Sequence, residues 1–209
     1  MIDAREAIAR LRDGNRRFAA GESSRDGLGL SRRAELVAAQ DPHAIVLGCS
    51  DSRVPAEIVF DQGLGDLFVI RVAGNIVAPS QVGSVEFAAA RFGTPLVVVL
   101  GHSGCGAITA ALEDIRRPGP QSRNLRSIVD RVRPAVQSVV DVRPDAPDAE
   151  ILEPAIRANI RASAGQLRHA SALLEQLIEA NKFRVVGAEY SLETGVVDFF
   201  EGMGADGFA

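Results

Sequence analysis

Four short runs along this chain are apolar almost without interruption and rich in β-branched residues: 44–48, 67–71, 96–100 and 183–190. Glycine or polar turns bound them. A half-exposed strand would alternate apolar and polar positions, so continuous runs of this length predict strands buried on both faces of a parallel sheet. A fifth run, 196–200, follows the turn Glu193-Thr194-Gly195 closely enough to return as an antiparallel edge strand.

Between the runs the apolar positions recur at helical spacing. Over 3–20, Ala4, Ala7, Ile8, Leu11 and Phe18 make one stripe, while Arg5, Arg12, Arg16 and Arg17 lie on the other side. The Gly/Ser-rich stretch 21–30 reads as a loop, with Ser31 placed to cap a helix over 32–39. Further helices are expected over 56–60, from Ser80 or Ser84 to about 91, over 107–115 and over 125–140. Pro134 should kink or split the last of these. Residues 144–147 break the pattern, and 149–181 is helical with a bend near Gly165. The class is α/β, with four parallel strands plus an antiparallel edge strand, flanked by helices. One domain is expected over 1–209, with 1–40 as an N-terminal helical arm and 41–209 as the α/β core.

Composition narrows the choice of partners. Of 209 residues, 46% are hydrophobic, enough to bury a sizeable core. The formal net charge is −4 and no basic cluster stands out, which argues against nucleic acid or an anionic membrane as a partner. Met1 to Glu6 lacks the apolar segment of a signal peptide, and no apolar run reaches the roughly 18 residues of a membrane span. A cytoplasmic location is therefore expected, and it would keep thiols reduced.

The candidate chemistry sits just past two of the strands. Cys49-Ser50-Asp51-Ser52-Arg53 follows the first run, and His102-Ser103-Gly104-Cys105-Gly106 follows the third. Together they hold both cysteines and one of three histidines. Two thiolates, an imidazole and a carboxylate are side chains that zinc accepts. In extended backbone Cys49 and Asp51 point the same way. His102 and Cys105 lie three apart where a strand passes into a helix. Cys105 would stand near that helix's N-terminus, whose positive end favours the thiolate. Other readings use the same residues: two buried hydrophobic thiols, a disulfide, or a phosphate loop, although Gly101, Gly104 and Gly106 fit neither dinucleotide nor P-loop spacing. His43 and His169 lie outside both motifs and have no ligand-like spacing to a Cys, Asp or Glu.

Cys-Ser-Asp-Ser-Arg, followed about fifty residues later by Gly-His-Ser-Gly-Cys-Gly, resembles the β-class carbonic anhydrases. The likeness extends to 11–18, 54–57, 65–71, 73–75, 186–190 and 194–197, most of the chain. It implies one zinc ion per chain on Cys49, His102 and Cys105, with Asp51 as a labile fourth ligand that Arg53 can draw away. It implies reversible hydration of carbon dioxide to bicarbonate and a proton by zinc-bound hydroxide. Zinc is known from the three-histidine carbonic anhydrases to lower a water's pKa to about 7, and two thiolates should make that water less acidic. Gln40, Phe68 and Ala73 match positions of the plant-type substrate pocket, and Phe87 stands where those members carry Tyr. The family's first helix reaches onto a second subunit, so a homodimer or tetramer is implied, with Gln40, Phe68 and Phe87 serving the partner's zinc. Some bacterial members have an inhibitory bicarbonate site; Arg71 and Tyr190 resemble two of its residues, but its Trp is Val46 here. Two rival functions share the residues: a carbon disulfide or carbonyl sulfide hydrolase, and a non-catalytic zinc protein whose Asp51 never leaves the metal.

Overall fold

A computed structural model describes residues 2–24, 27 and 29–203. Five strands form one sheet: β1 (Ala44–Gly48), β2 (Leu67–Arg71), β3 (Leu96–His102), β4 (Arg184–Tyr190) and β5 (Val197–Glu201). Their order is β2-β1-β3-β4-β5. The pairs β1/β2, β1/β3 and β3/β4 are parallel, and β5 runs antiparallel to β4 at the edge. The expected sheet is thus the one observed. The chain leaves β1 for β2 on one side and crosses back to β3 on the other. The C-terminal ends of β1 and β3 therefore flank the point where the winding reverses, the usual ligand crevice of such sheets.

The continuous apolar runs are explained by two cores that share the strands. Ile45, Leu47, Val97, Val99 and Val185 face one core. Ala44, Val46, Leu96, Val98, Leu100, Val186 and Ala188 face the other. Successive residues point to opposite faces, so a strand covered on both sides needs apolar residues throughout.

Helices α1 (Ala4–Ala19) and α3 (Ala56–Val59) lie on the second face; α2 (Leu30–Glu35) lies between them in sequence. The Asp3 carboxylate caps α1 by accepting from the Glu6 N–H. Ala7, Ile8 and Leu11 are buried, and Asn15 fastens the helix to the sheet by donating to the carbonyls of Val59 and Gly195 and accepting from the Val197 N–H. In this single chain, α1 covers its own sheet. The first face carries α4 (Pro79–Phe92), α5 (Gly106–Arg116), α6 (Arg123–Val142), α7 (Asp148–Arg168) and α8 (Ala172–Glu179). Helix α7 packs closest. A Cβ on Gly101 of β3 would lie 2.5 Å from Ile160 Cδ1, and one on Gly187 of β4 would lie 2.7 Å from Ile160 Cγ2.

Several expected boundaries are corrected. Ser31 lies inside α2, which starts at Leu30 after Gly29 and ends at Glu35; residues 25, 26 and 28 of the expected loop lie outside the described residues. Helix α4 begins at Pro79, whose missing N–H costs nothing in a first turn, so Ser80 and Ser84 are interior. Helix α6 continues through Pro134 as one element. The bend expected at Gly165 is instead a break after Arg168, where the Ser171 hydroxyl accepts from the Leu174 N–H and starts α8. Strand β3 runs two residues further than expected and ends on His102 itself. Among the described residues no helix is long and apolar enough to cross a membrane.

Candidate metal centre

Register decides what meets at the crevice. Gly48 pairs with Leu100, so Cys49 emerges from β1 beside the end of β3, where His102 sits. The turn Ser103-Gly104 then reverses the chain, with Gly104 at φ 64°, a conformation glycine reaches without strain. That turn delivers Cys105 as the N-cap of α5. One ligand atom each from Cys49, His102 and Cys105 lies within 4.8 Å of the others, and all three residues are buried. Neither cysteine is in a disulfide.

The imidazole is prepared for a cation. Its Nδ1 is 2.9 Å from the Ser103 carbonyl, so the proton belongs on Nδ1. That leaves the lone pair on Nε2, which is buried and has no hydrogen-bond partner. An orphaned buried polar atom costs on the order of 1–3 kcal/mol, and a metal ion removes that cost. Ser103 is itself fixed: its N–H donates to the Tyr190 carbonyl and its hydroxyl accepts from the Leu192 N–H.

The sulfurs point the same way. The two sulfurs lie within hydrogen-bond reach of each other. The Cys105 thiol, outweighing burial and aided by His102 and the Gly74 N–H, holds Cys49 down at about 4. Cys105 is pushed far up, first by Cys49 and then by burial. Burial pushes His102 down, but Cys49, the Ser103 carbonyl and Asp51 together outweigh it, so the net shift is upward. A dication among them would let both sulfurs ionise and keep the imidazole neutral, so the donor set fits zinc.

Asp51 stands beside the cluster rather than in it. Its carboxylate takes two side-chain hydrogen bonds from Arg53, Nε to Oδ1 at 2.9 Å and Nη2 to Oδ2 at 2.8 Å, and the Arg53 N–H adds a third at 3.0 Å. Arg53 holds the Asp51 carboxyl well below the usual carboxylate range, against a smaller opposing effect of burial. Asp51 Oδ2 lies 3.9 Å from His102 Nε2. The carboxylate is therefore on Arg53, with one oxygen close to the His102 nitrogen that faces the sulfurs.

The expected pocket residues divide. Ala73 immediately precedes Gly74, whose N–H is 3.4 Å from Cys49 Sγ. Gln40 is exposed and four residues before β1 begins, at the strand end remote from Cys49. Phe68 pairs with Ile45, three residues short of the Gly48 level, and forms with Phe87 and Phe92 a ring cluster with centroids 5.6–6.2 Å apart. Gln40, Phe68 and Phe87 are thus not gathered around the metal cluster of their own chain. His43 is buried away from it, and His169 is exposed with Nδ1 3.2 Å from Glu175. A cavity of about 560 Å³ between α1 and β5, lined by Arg12, Asn15, Val197 and Phe199 among others, holds none of the cluster residues.

Sequence reasoning missed two supports. Asn159, in the middle of α7, donates 2.9 Å to the Gly74 carbonyl and so fixes the residue that reaches Cys49. Its only signal was an amide inside the apolar stripe of Ile156 and Ile160. Arg71 donates to the carbonyls of Cys49 and Asp51.

The family model for carbonic anhydrase matches residues 44–197, and the chain belongs to that family, with the fold of its β class. It is 39% identical over 197 residues to a carbonic anhydrase of Mycolicibacterium smegmatis, covering 93% of this chain and 92% of that one. It is 37% identical over 185 residues to carbonic anhydrase 2 of Mycobacterium tuberculosis, covering 88% and 87%. Among solved structures, a tetrameric β-carbonic anhydrase from the ascomycete Sordaria macrospora superposes with a TM-score of 0.74 at 21% identity, covering 93% of this chain and 97% of that one.

Proposed function

We propose that this enzyme catalyses the reversible hydration of carbon dioxide to bicarbonate and a proton, with Cys49, His102 and Cys105 holding one zinc ion per chain. The observation that carries the reading is the buried, unpartnered Nε2 of His102 converging with two sulfurs, beside a carboxylate that a guanidinium keeps off the cluster. A purely structural zinc site closes all its positions with ligands; a reactive one keeps an exchangeable position. Asp51 on Arg53 leaves such a position.

A zinc ion bound there supplies Lewis acidity that makes a water nucleophilic near neutral pH. The chain's residues do the rest. Asp51 remains a carboxylate throughout the working range and accepts a hydrogen bond from the nucleophile, turning its lone pair toward the carbon. Arg53 aims that carboxylate with its planar fork. Ser103 keeps the imidazole proton on Nδ1, leaving Nε2 free to face the metal. Ala73 of the same chain, with Gln40, Phe68 and Phe87 of a second copy, forms the small pocket for carbon dioxide and bicarbonate in a homodimer or tetramer. The expected compartment is the cytoplasm.

Stopped-flow measurement of carbon dioxide hydration, paired with a zinc assay on the same sample, tests the reading. Turnover proportional to zinc content is expected. A fully zinc-loaded protein that does not accelerate hydration would overturn it.

A further inference from the structure

Arg71 is the last residue of β2, opposite Gly48 in register. Its guanidinium turns back over the loop after β1. Nε donates to the Cys49 carbonyl at 2.9 Å, and Nη2 donates to the Asp51 carbonyl at 2.5 Å. The next residue continues the seam, with the Val72 N–H donating to the Gly48 carbonyl at 3.1 Å. Three carbonyls, at Gly48 ending β1 and at Cys49 and Asp51 of the loop, are thus tied to two consecutive residues of the neighbouring strand end. Asp51 is held by two arginines at once, its carbonyl by Arg71 and its carboxylate by Arg53.

The two grips differ in kind. The grip of Arg53 competes directly with a metal, because both want the carboxylate oxygens. The grip of Arg71 does not compete, because it holds the peptide from which the carboxylate swings. A carboxylate that must travel from Arg53 toward His102, 3.9 Å from Oδ2, moves against a backbone pinned at that residue. We propose that Arg71 is a positioning residue that keeps Asp51 in the off-metal arrangement, setting the balance between carboxylate on Arg53 and carboxylate on the metal. It touches neither substrate nor metal in this role. Lysine reproduces the role only in part, since an ammonium lacks the rigid planar fork that meets two carbonyls at once.

The inference rests on the proposed zinc site having an exchangeable fourth position. The test uses the cobalt(II)-substituted protein, titrated with azide at one fixed pH near neutrality and followed by its ligand-field spectrum. Wild type, Arg71→Gln and Arg71→Lys are compared, with metal content measured on each. Arg71 is exposed, so neither change empties a core site. Azide should bind Arg71→Gln about tenfold more weakly than wild type, roughly the factor one charge-assisted hydrogen bond is worth. Arg71→Lys should fall between them, and metal content should be unchanged in all three. Equal azide affinity in wild type and Arg71→Gln overturns the inference alone. Loss of metal from Arg71→Gln overturns it too, by showing that Arg71 secures the ligand Cys49 instead. A wild-type cobalt protein that takes up no azide at any pH sinks the exchangeable-site reading, and this inference with it.

Discussion

The carboxylate of Asp51 rests on the guanidinium of Arg53 through two parallel hydrogen bonds, while its Oδ2 stays 3.9 Å from His102 Nε2. The arginine is more than half exposed, so the pair does little for folding; its value lies in which partner the carboxylate chooses. Arg53 holds the Asp51 carboxyl far down, so mildly acidic buffer does not protonate it. The sign for stability follows: what the pair contributes is present above the ordinary Asp range and is lost only as pH falls through the depressed value. The acid limb of activity must therefore have another source. On the proposed mechanism, falling pH would make hydroxide scarce and let Asp51 leave Arg53 for the metal. Activity should rise with pH and fall in mild acid with full zinc retained. Arg53→Ala, which leaves Asp51 only the metal, should lower kcat on the order of 10²-fold without loss of zinc. Unchanged turnover in that variant would contradict the account.

Cys105→Ser should lose zinc and activity together. The hydroxyl is a far poorer zinc ligand than the thiolate, and only two of three cluster donors remain. Elemental analysis checks it, and full zinc content in the variant refutes the ligand assignment. Stripping the wild type with a chelator should also lower its thermal midpoint, since a ligand at 1,000 times its Kd adds about 4 kcal/mol to stability.

Asn159 is expected to act through Gly74. Asn159→Ala leaves the buried Gly74 carbonyl without its donor, a cost of about 1–3 kcal/mol that urea unfolding would show. The freed turn should also relax the Gly74 N–H away from Cys49 Sγ and speed zinc loss to a competing chelator. Wild-type rates of zinc loss would limit Asn159 to a packing role.

Self-association should be obligatory. Phe87 is 54% exposed although its ring meets those of Phe68 and Phe92, and Gln40, Phe68 and Phe87 lie away from their own chain's metal cluster. Phe87→Glu should yield a zinc-loaded species of lower mass with little activity. Light scattering alongside the assay decides, and a fully active monomer would refute the shared pocket.

Bicarbonate should not inhibit cooperatively. Val46, where the resemblance puts the Trp of some bacterial members, is wholly buried in the sheet; Tyr190 is buried; and the guanidinium of Arg71 is occupied by two loop carbonyls. Initial rates at increasing bicarbonate should show simple product inhibition. Cooperative inhibition that Arg71→Ala abolishes would show the site to be present.

Local order was legible wherever a short-range cause dominates. The limits of β1 and β2 follow from apolar runs ended by a change of polarity, and the ligand types follow from Cys-x-Asp and His-x-x-Cys. Helix ends were less legible, because competing local signals are nearly equal in energy. Ser31, Ser80 and Ser84 are all plausible caps, yet Gly29 and Ala78 occupy those places. Pro134 did not break α6, whose Val129, Val132, Val136 and Val140 are buried against the core; packing along both halves outweighs one lost hydrogen bond.

The sequence by itself determined the sheet's strands, the donor chemistry of Cys49, His102 and Cys105, and the closeness of Arg53 to Asp51, since each depends on residues a few positions apart. Only the tertiary structure decided that Cys49 emerges beside His102, that Asn159 reaches Gly74 across 85 positions, and that Arg71 closes over the loop carrying Asp51. Those meetings depend on strand order, on register and on the close seat of α7 over Gly101 and Gly187. An apolar run says that a strand is buried, but not which strand lies beside it or at what offset, because backbone hydrogen bonds are the same for every neighbour and every even shift.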